Sequence, residues 1–518
     1  MSAARFHIHS IRSSMKESYW VHAFLDSRNL LIAALFAAVF CLCISYPGNL
    51  YSDSYGRIDF TKALMAGPTE TLNSWNTVTP CYFLYLAYVL TGNIASYTFA
   101  QAFFFFYTGL LLIRKTTGTC RTLVYCLYLL NPIFFCVSIY HETGIGVLIG
   151  LTGIFLLMNI DPKELGPFDK GICYFFIMLS SFVAFGFRAN TFTVLPALLL
   201  ILFFFNSSAM GHKILCTAFL FGGLFLTILI PKLLNIDTMS SVSLSFLWEM
   251  GENIGSMPDE KQEQYKQYLD DLFGEGATEK LAAWSRCEGI LGLEDKTSDE
   301  YRDYLIFTFG SNAAERLLQG KNQKWPLRQT ASFQWEVEEF SQTSISQVGL
   351  GKIFAKYLAL YIREPAASLW TKARFISYTL GISPQLKLLE WNYDRWERGK
   401  EFGMSDSLRR HQFIKAYRFV VNKSFFPLRP WLILLIALAC TGLKLKLQKQ
   451  RIQDSLECQL ILISVFYYGA FLINNQTMEF RYFYPAFYLL TLTILSSLAS
   501  LTKYSSAFTS AIARRFRP

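Results

Sequence analysis

Long apolar runs, separated by short polar turns, are the feature that most constrains this chain. A membrane-spanning helix needs roughly 17 to 25 predominantly apolar residues. Only 17% of the residues are charged, against about 25% in soluble proteins, so a soluble enzyme is excluded. The pattern predicts an all-α polytopic membrane protein with ten spans, at 29–46, 95–113, 121–139, 143–160, 171–187, 190–206, 214–231, 428–443, 457–474 and 482–501.

Lysine and arginine in the short loops indicate how the chain is threaded, because cytoplasmic loops carry an excess of them. The threading is consistent only if 80–92 is too short to cross and lies in the outer leaflet. Both termini are then cytoplasmic, and the first apolar run is a retained span. The basic residues predicted inside are Arg5, Arg12, Lys16, Arg28, Arg114, Lys115, Arg121, Lys163, Lys170, Lys213, Lys444, Lys446, Lys449, Arg451, Arg514, Arg515 and Arg517.

Charge also separates an outer domain from the membrane body. Residues 249–351 carry 19 acidic and 10 basic side chains, whereas the whole chain has a net charge of +10. The cytoplasmic loops account for this basic balance, so nucleic acid is not expected as a partner. Helical patterns at 259–273 and 360–376 predict a mainly α-helical outer, periplasmic domain. The predicted units are 1–28 (cytoplasmic), 29–231 (transmembrane, with the outer loop 47–94), 232–427 (outer domain with interfacial helices), 428–501 (transmembrane) and 502–518 (basic cytoplasmic tail).

The first outer loop carries an early carboxylate. Asp53 follows the first span by about seven residues, and Asp59 is close behind it. A carboxylate at the membrane surface can serve as a general base or as a metal ligand. The alternative is a helix N-cap, because Ser-Asp-Ser before a helical stretch is a common start signal.

Two further outer turns carry ionisable residues. His141 and Glu142 lie between the third and fourth predicted spans, and they lack the second histidine of a zinc-protease motif. Ionisable residues at the rim of packed spans indicate a functional site, although a wet polar loop is the alternative. Arg188 is an outward arginine whose guanidinium matches phosphate oxygens; the alternative is contact with lipid headgroups.

The last span opens with Glu479, Arg481 and Tyr482. An aromatic belt at the membrane surface accounts for the aromatic residues there, but not for the arginine. The predicted carboxylates and outward arginines therefore all belong to one membrane face. Such a set suits a substrate whose phosphate lies in the headgroup layer.

The order of these groups resembles the GT-C superfamily of integral membrane glycosyltransferases. A first span leads into Tyr-Pro-Gly-Asn-Leu-Tyr-Ser-Asp-Ser (46–54), and the outer loop ends in Trp-Asn-Thr-Val-Thr-Pro (75–80). An outer acidic turn follows two spans later, and the last span opens with Glu-Phe-Arg-Tyr (479–482). The resemblance covers most of 29–231 and 425–501. It looks closest to the phage-type glucosyltransferases that modify bacterial O-antigen.

The resemblance implies transfer of one sugar, a hexose such as glucose, from a polyprenyl-phosphate donor to a glycan such as lipopolysaccharide O-antigen. The reaction would occur at the outer side of a bacterial inner membrane. By similarity, Asp53 would be the catalytic carboxylate that deprotonates or orients the acceptor hydroxyl. The remaining candidates would bind substrate: Asp59, His141, Glu142, Arg188, Glu479, Arg481 and Tyr482.

A metal ion would take Asp53 and Glu142 as ligands. Metal-dependent members have paired acids in the second outer loop, whereas this chain has His141 and Glu142, which speaks against a divalent cation. Partners would be the lipid-linked donor, the glycan acceptor and membrane lipids, with a donor-synthesising enzyme and a flippase as further partners. The alternatives are a flippase or transporter of lipid-linked glycans, an O-antigen polymerase or ligase, and a non-catalytic assembly or sensor protein.

Overall fold

The fold is built from α-helices. The computed structural model describes residues 19–46, 57–58, 60–63, 77–115, 121–131, 134, 143–234, 236, 241–278, 347–380, 382, 429–473 and 480–515. About 87% of these described residues are helical, and none of them lies in a strand. The predicted all-α class is confirmed at that level.

The structure describes the bounds of sixteen α-helices, which are numbered here in chain order. The first eight are α1 (Tyr19–Ser45), α2 (Val78–Thr91), α3 (Ala95–Lys115), α4 (Arg121–Leu129), α5 (Thr143–Met158), α6 (Pro167–Phe187), α7 (Leu195–Leu200) and α8 (Met210–Leu233). The remaining eight are α9 (Ser241–Ser256), α10 (Asp259–Gln264), α11 (Asp270–Phe273), α12 (Leu350–Arg363), α13 (Pro365–Thr379), α14 (Pro430–Gln448), α15 (Leu456–Ile473) and α16 (Phe480–Arg515). Short 3-10 turns occupy Pro162–Glu164, Ala189–Val194 and Ile452–Asp454, and a π-helical turn occupies Ile201–Phe205.

Within the described residues, six helices are long and apolar enough to cross a bilayer. They lie in α1, α3, α6, α8, α14 and α16, and four shorter apolar helices accompany them at Val78–Thr91, Thr143–Met158, Asn190–Phe205 and Leu456–Phe471. The chain is therefore a multi-pass membrane protein.

Two predicted spans differ from simple helices. Helix α4 ends at Leu129, before Asn131 and Pro132, because proline disfavours helix in the residue that precedes it. The segment 189–205 joins 3-10, α and π turns.

Close packing of α6 between α5 and α8 depends on glycine. A Cβ placed on Gly150 of α5 would lie 2.6 Å from the backbone nitrogen of Ala184 in α6. A Cβ on Gly223 of α8 would lie 2.3 Å from the carbonyl oxygen of Met178, also in α6. Only glycine lets the two pairs of helix backbones approach so closely.

Aromatic residues join the last helix to the N-terminal helices. The hydroxyl of Tyr488 in α16 lies 2.8 Å from that of Tyr128 in α4, which donates to the Phe105 carbonyl in α3 at 3.0 Å. The ring of Phe134 packs on Tyr488 with centroids 4.9 Å apart. The N-terminal and C-terminal helices thus share one core.

The helix bundle has two ends, each named here after a residue that lies there. At the first, called the Lys115 end, the Lys115 ammonium donates to the Asn159 carbonyl at 2.9 Å. At the second, called the Arg188 end, Arg188 follows the last residue of α6. Consecutive helices run in opposite directions, so alternate connections lie at the same end of the bundle. The lysines and arginines of these connections lie at the Lys115 end, in agreement with the predicted threading. They include Arg114, Lys163, Lys170, Lys213, Lys444, Lys446, Lys449 and Arg451.

A buried ion pair ties α14, α15 and α16 together near the Lys115 end. The Lys444 ammonium lies 2.7 Å from a Glu457 carboxylate oxygen, and these side chains are 5% and 1% exposed. Ser496 donates to the same carboxylate at 2.5 Å, and Ser455 donates at 3.1 Å. Three helices and the turn before α15 therefore meet at one carboxylate.

Helices α9 to α13 form a second core between α8 and α14 in the sequence. Leu247, Met250 and Ile254 of α9 pack against Ile353 and Leu360 of α12. Helix α13 also reaches the membrane helices, because the Tyr468 hydroxyl in α15 donates to the Thr379 carbonyl. The described part of the predicted outer domain is thus helical.

Candidate functional site

Arg188 joins two of the predicted groups at the Arg188 end. It leaves α6 in an extended conformation, and its Nε donates to the Thr143 hydroxyl at 3.0 Å. Thr143 is the buried first residue of α5 and directly follows His141 and Glu142. The side chains of His141 and Glu142 lie outside the described residues. The attachment point of that acidic turn nevertheless lies against the arginine.

The end of the predicted first outer loop is anchored beside Arg188. The Thr77 hydroxyl donates to the Phe187 carbonyl at 2.8 Å. The Thr79 side chain lies so close to Gly186 that a Cβ there would be 2.2 Å from the threonine hydroxyl oxygen. The Phe83 and Phe187 rings are 5.7 Å apart. Helix α2 therefore begins against the C-terminus of α6, which places the loop end next to the arginine.

The first turns of the last helix, α16, lie against the start of α5. Tyr484 and Pro485 would contact a Cβ on Gly144 at 3.4 Å, and Gly144 follows Thr143. Arg481 and Tyr482 lie in the first turn of α16, although their side chains are not described, and Glu479 lies outside the described residues. Three of the four predicted groups thus have their supporting backbone at one place.

Asp53 and Asp59 lie outside the described residues, but residues around them are buried against α2. The Thr61 hydroxyl lies 2.7 Å from the Arg57 carbonyl and 3.4 Å from the Cys81 carbonyl. Ile58 packs with Leu84 in α2. The described residues Arg57, Ile58 and Thr61 are therefore held against α2, whose start lies close to the Arg188 end.

Sequence reasoning missed Arg57 and Thr143. Arg57 is 3% exposed and lies four residues after Asp53. A signal was present, because the predicted threading makes Arg57 an outward arginine, as it does Arg188. Thr143 gave no such signal, since a threonine at a helix start is ordinary.

No three metal-ligating residues cluster in the part of the chain that the structure describes. Asp53 and Glu142, the predicted ligands of a metal ion, lie outside that part. The metal prediction therefore stays a prediction.

A second ionisable cluster lies in the core of helices α9, α12 and α13. The buried Glu249 carboxylate accepts from the Tyr357 hydroxyl at 3.1 Å, from the Tyr361 hydroxyl, and from the Lys372 ammonium at 2.5 Å. Burial, followed by the negative charge of Glu249, raises the pKa of Tyr357. Burial and the hydrogen bond to Glu249 raise the pKa of Tyr361. Both phenols therefore stay protonated and donate hydrogen bonds to Glu249. The cluster is thus a structural contact that holds α9, α12 and α13 together.

Replacing Tyr361 with phenylalanine tests that contact. A hydrogen bond to a charged group contributes about 1.5–3 kcal/mol, so we expect Tyr361→Phe to lower the free energy of local opening by that amount. Amide hydrogen exchange of 241–256 and 350–379 measures it. Tyr268→Phe is the matched control, because the Tyr268 hydroxyl donates to the neutral Lys356 carbonyl at 2.8 Å. Its expected cost is about 1 kcal/mol, and equal costs for the two variants would contradict a charged contact.

Comparison with family models, with curated proteins and with solved structures finds no match to this chain. The class is therefore defined by the fold and by the arrangement of residues alone. The chain is a multi-pass α-helical membrane protein in which an arginine, the attachment point of an acidic turn and the start of α2 meet at one end of the bundle.

Proposed function

We propose that the chain is a membrane glycosyltransferase of the GT-C kind. It transfers a single sugar, a hexose such as glucose, from a polyprenyl-phosphate donor to a cell-surface glycan such as lipopolysaccharide O-antigen. The observation that carries the proposal is the contact of Arg188 with Thr143, directly after His141 and Glu142. It draws a phosphate-binding type of side chain and an acidic turn to the same end of the bundle.

The threading supports ten crossings with both termini in the cytoplasm of a bacterial inner membrane. Helix α3 ends at the Lys115 end, and α5 begins at the Arg188 end, so the chain passes once from one end of the bundle to the other between Lys115 and Thr143. With that crossing, α1, α3, α5, α6, the segment 189–205, α8, α14, α15 and α16 complete ten. The basic Lys115 end then faces the cytoplasm and the Arg188 end faces outward.

The chemistry of sugar transfer matches these residue types. When the glycosidic bond breaks, negative charge grows on the leaving phosphate, and a fixed guanidinium stabilises it without losing a proton. Arg188 has that role in the proposal, and Arg481 is the second candidate. Asp53 removes the proton of the acceptor hydroxyl, for which a carboxylate within about 3 Å is needed. Phosphate is a good leaving group already, so one carboxylate suffices, in contrast to the pair in glycosidases.

The helices of the outer domain support a position at the membrane surface. Helix α12 buries Ile353 and Leu360 in its own core, and it exposes an apolar stripe at i, i+4 spacing. The stripe consists of Leu350, Phe354, Leu358 and Ile362. An exposed apolar stripe with Lys352 and Arg363 beside it suits the boundary between headgroups and acyl chains. The domain would then lie over the site, where a glycan acceptor arrives.

The test is sugar transfer by the purified protein in liposomes, with polyprenyl-phosphate-linked hexoses as donors and O-antigen glycan as acceptor. We expect transfer by the unmutated chain and a loss of about 100-fold in Asp53→Asn, since general bases contribute 10²–10⁴-fold. Asp454→Asn is the control, because Asp454 is an exposed carboxylate at the Lys115 end.

Each other outcome selects an alternative. Unchanged transfer in Asp53→Asn would make Asp53 a helix cap. Movement of a lipid-linked glycan across the liposome without bond formation would indicate a flippase or transporter. Chain extension that does not depend on Asp53 would indicate a polymerase or ligase. Absence of transfer with every donor would reject the glycosyltransferase.

A further inference from the structure

A cavity of about 570 Å³ opens at the Lys115 end, far along the helices from Arg188. It lies between the turn after α5, the start of α6 and the turn before α8. Its polar lining includes Lys163, Lys170, Tyr174, Asn206, Ser208 and His212. None of the predicted site residues lines it, so the cavity belongs to a different part of the molecule.

The walls of the cavity are held rigidly. Buried His212 and buried Tyr174 are joined by a hydrogen bond of 2.9 Å between the imidazole Nδ1 and the phenol oxygen. The Asn206 side chain donates to the Met158 carbonyl at 2.5 Å and accepts from the Ser208 backbone nitrogen at 2.8 Å. These contacts fix the floor, whereas the two lysines stand at its edge.

The charge of the lining favours an anion. Lys163 is exposed, Lys170 is half-buried, and the only carboxylate in the described lining is that of Asp161. Asp161 accepts a hydrogen bond from the Lys163 backbone nitrogen at 2.9 Å, so its charge is partly used in capping the 3-10 turn. The ammonium groups add to the hydroxyl of the exposed Ser207, and together they suit a phosphate group.

Apolar residues continue from the cavity along the membrane-facing surface. Leu215 lines it, and Met210, Ile214 and Phe204 beside it are exposed large apolar side chains. A polar cavity that opens onto such a surface matches a ligand with an anionic head and an apolar tail. Basic pockets between membrane helices on the cytoplasmic side bind anionic lipid headgroups in this way.

We propose that this cavity binds a phosphate group, supplied by an anionic phospholipid or by a soluble phosphate, at the Lys115 end. The apolar surface beside it favours the phospholipid as the source. The site is independent of sugar transfer.

The test uses the full-length protein in a neutral detergent and follows its thermal unfolding. A ligand at 100 times its Kd stabilises the folded chain, so saturating dioctanoyl phosphatidylglycerol is expected to raise the apparent Tm by about 2–3 °C. Dioctanoylglycerol, which lacks the phosphate, is expected to give no rise. A rise with inorganic phosphate as well supports the site and assigns it to a soluble anion.

Two variants and a charge-matched control separate a built site from general attraction. Lys163→Gln with Lys170→Gln, and separately Ser207→Trp, which fills the opening without changing charge, are expected to abolish the rise. Lys446→Gln with Lys449→Gln removes two exposed charges at the same end and is expected to keep it. Equal rises with dioctanoylglycerol, no rise with either phosphate compound, or loss of the rise in the control pair would overturn the proposal. Each variant is compared with its own Tm without ligand, so a change in folding is measured directly.

Discussion

Replacing Arg188 with alanine is expected to lower sugar transfer by about 10²–10³-fold with normal protein level. This is the loss that follows removal of one fixed group that stabilises developing negative charge. Arg188 is suited to that role because its Nε is oriented by the Thr143 hydroxyl at 3.0 Å.

Arg188→Lys separates charge from geometry. A lysine keeps the positive charge but lacks the planar fork, so we expect it to recover only a small part of the transfer. Thr143→Val removes the acceptor that orients the arginine, and it is expected to raise KM for the donor while the protein level stays unchanged. Transfer rates and KM in liposomes measure these effects.

Lys232→Ala is the matched control for Arg188, because Lys232 is an exposed base near the end of α8, at the same end of the bundle. It is expected to leave transfer unchanged. Equal losses of transfer in Lys232→Ala and Arg188→Ala would mean that the positive charge of this surface, and not the position of Arg188, accounts for the effect. Full transfer in Arg188→Ala would favour the alternative, in which Arg188 contacts lipid headgroups and has no role in transfer.

Breaking the Lys444–Glu457 pair is expected to have the largest effect on stability. Removal of one partner leaves an uncompensated buried charge and costs about 3–5 kcal/mol. We therefore expect Lys444→Met and Glu457→Gln each to lower the free energy of unfolding by about that amount. Unfolding of the detergent-solubilised protein in increasing dodecyl sulfate measures it.

The double variant Lys444→Met with Glu457→Met tests the reason for that cost. Replacing a whole buried pair by apolar residues is often neutral, so the double variant is expected to be more stable than either single variant. Lys446→Met, two residues along α14 and exposed, is the control and is expected to change stability by less than about 0.5 kcal/mol. If the double variant lost the sum of the two single-variant stability losses, the interaction between Lys444 and Glu457 would be contradicted.

The position of this pair also bears on the transporter alternative. Lys444 is four residues from the end of α14, about 6 Å along the helix. Glu457 is the second residue of α15. The charges therefore lie near the ends of their helices, whereas a transported ion or substrate is bound close to the middle of the bilayer.

Much of the helical architecture could be predicted from the sequence. The long apolar runs in α1, α3, α6, α8, α14 and α16 correspond to predicted spans, because twenty apolar residues in a row have few other stable solutions. The interruption after Leu129 could also be read from Asn131 and Pro132. The mixture of 3-10, α and π turns in 189–205 could not, since each turn type is set by contacts with neighbouring helices.

The sequence indicates which residue types belong to the candidate site, but it does not show which residues they contact. Arg188 could be selected because an outward arginine is unusual, but its contact with Thr143 depends on how α5 and α6 pack. Arg57 could have been selected on the same ground, whereas its burial is a tertiary property that the sequence does not show. For Asp53, Asp59, His141, Glu142 and Glu479, the sequence predictions stand as predictions, because these residues lie outside the described part.

By itself, the sequence determined the class of protein, the apolar helices and the end of the bundle at which loop lysines and arginines gather. These follow from composition and spacing, because hydrophobic length and local charge act on each segment separately. Only the tertiary structure decided that the Arg188, Thr143 and Thr77 segments meet, that Lys444 and Glu457 share a buried site, and that a cavity opens beside Lys170. Each of these depends on side chains far apart in the chain, which packing alone brings within contact distance.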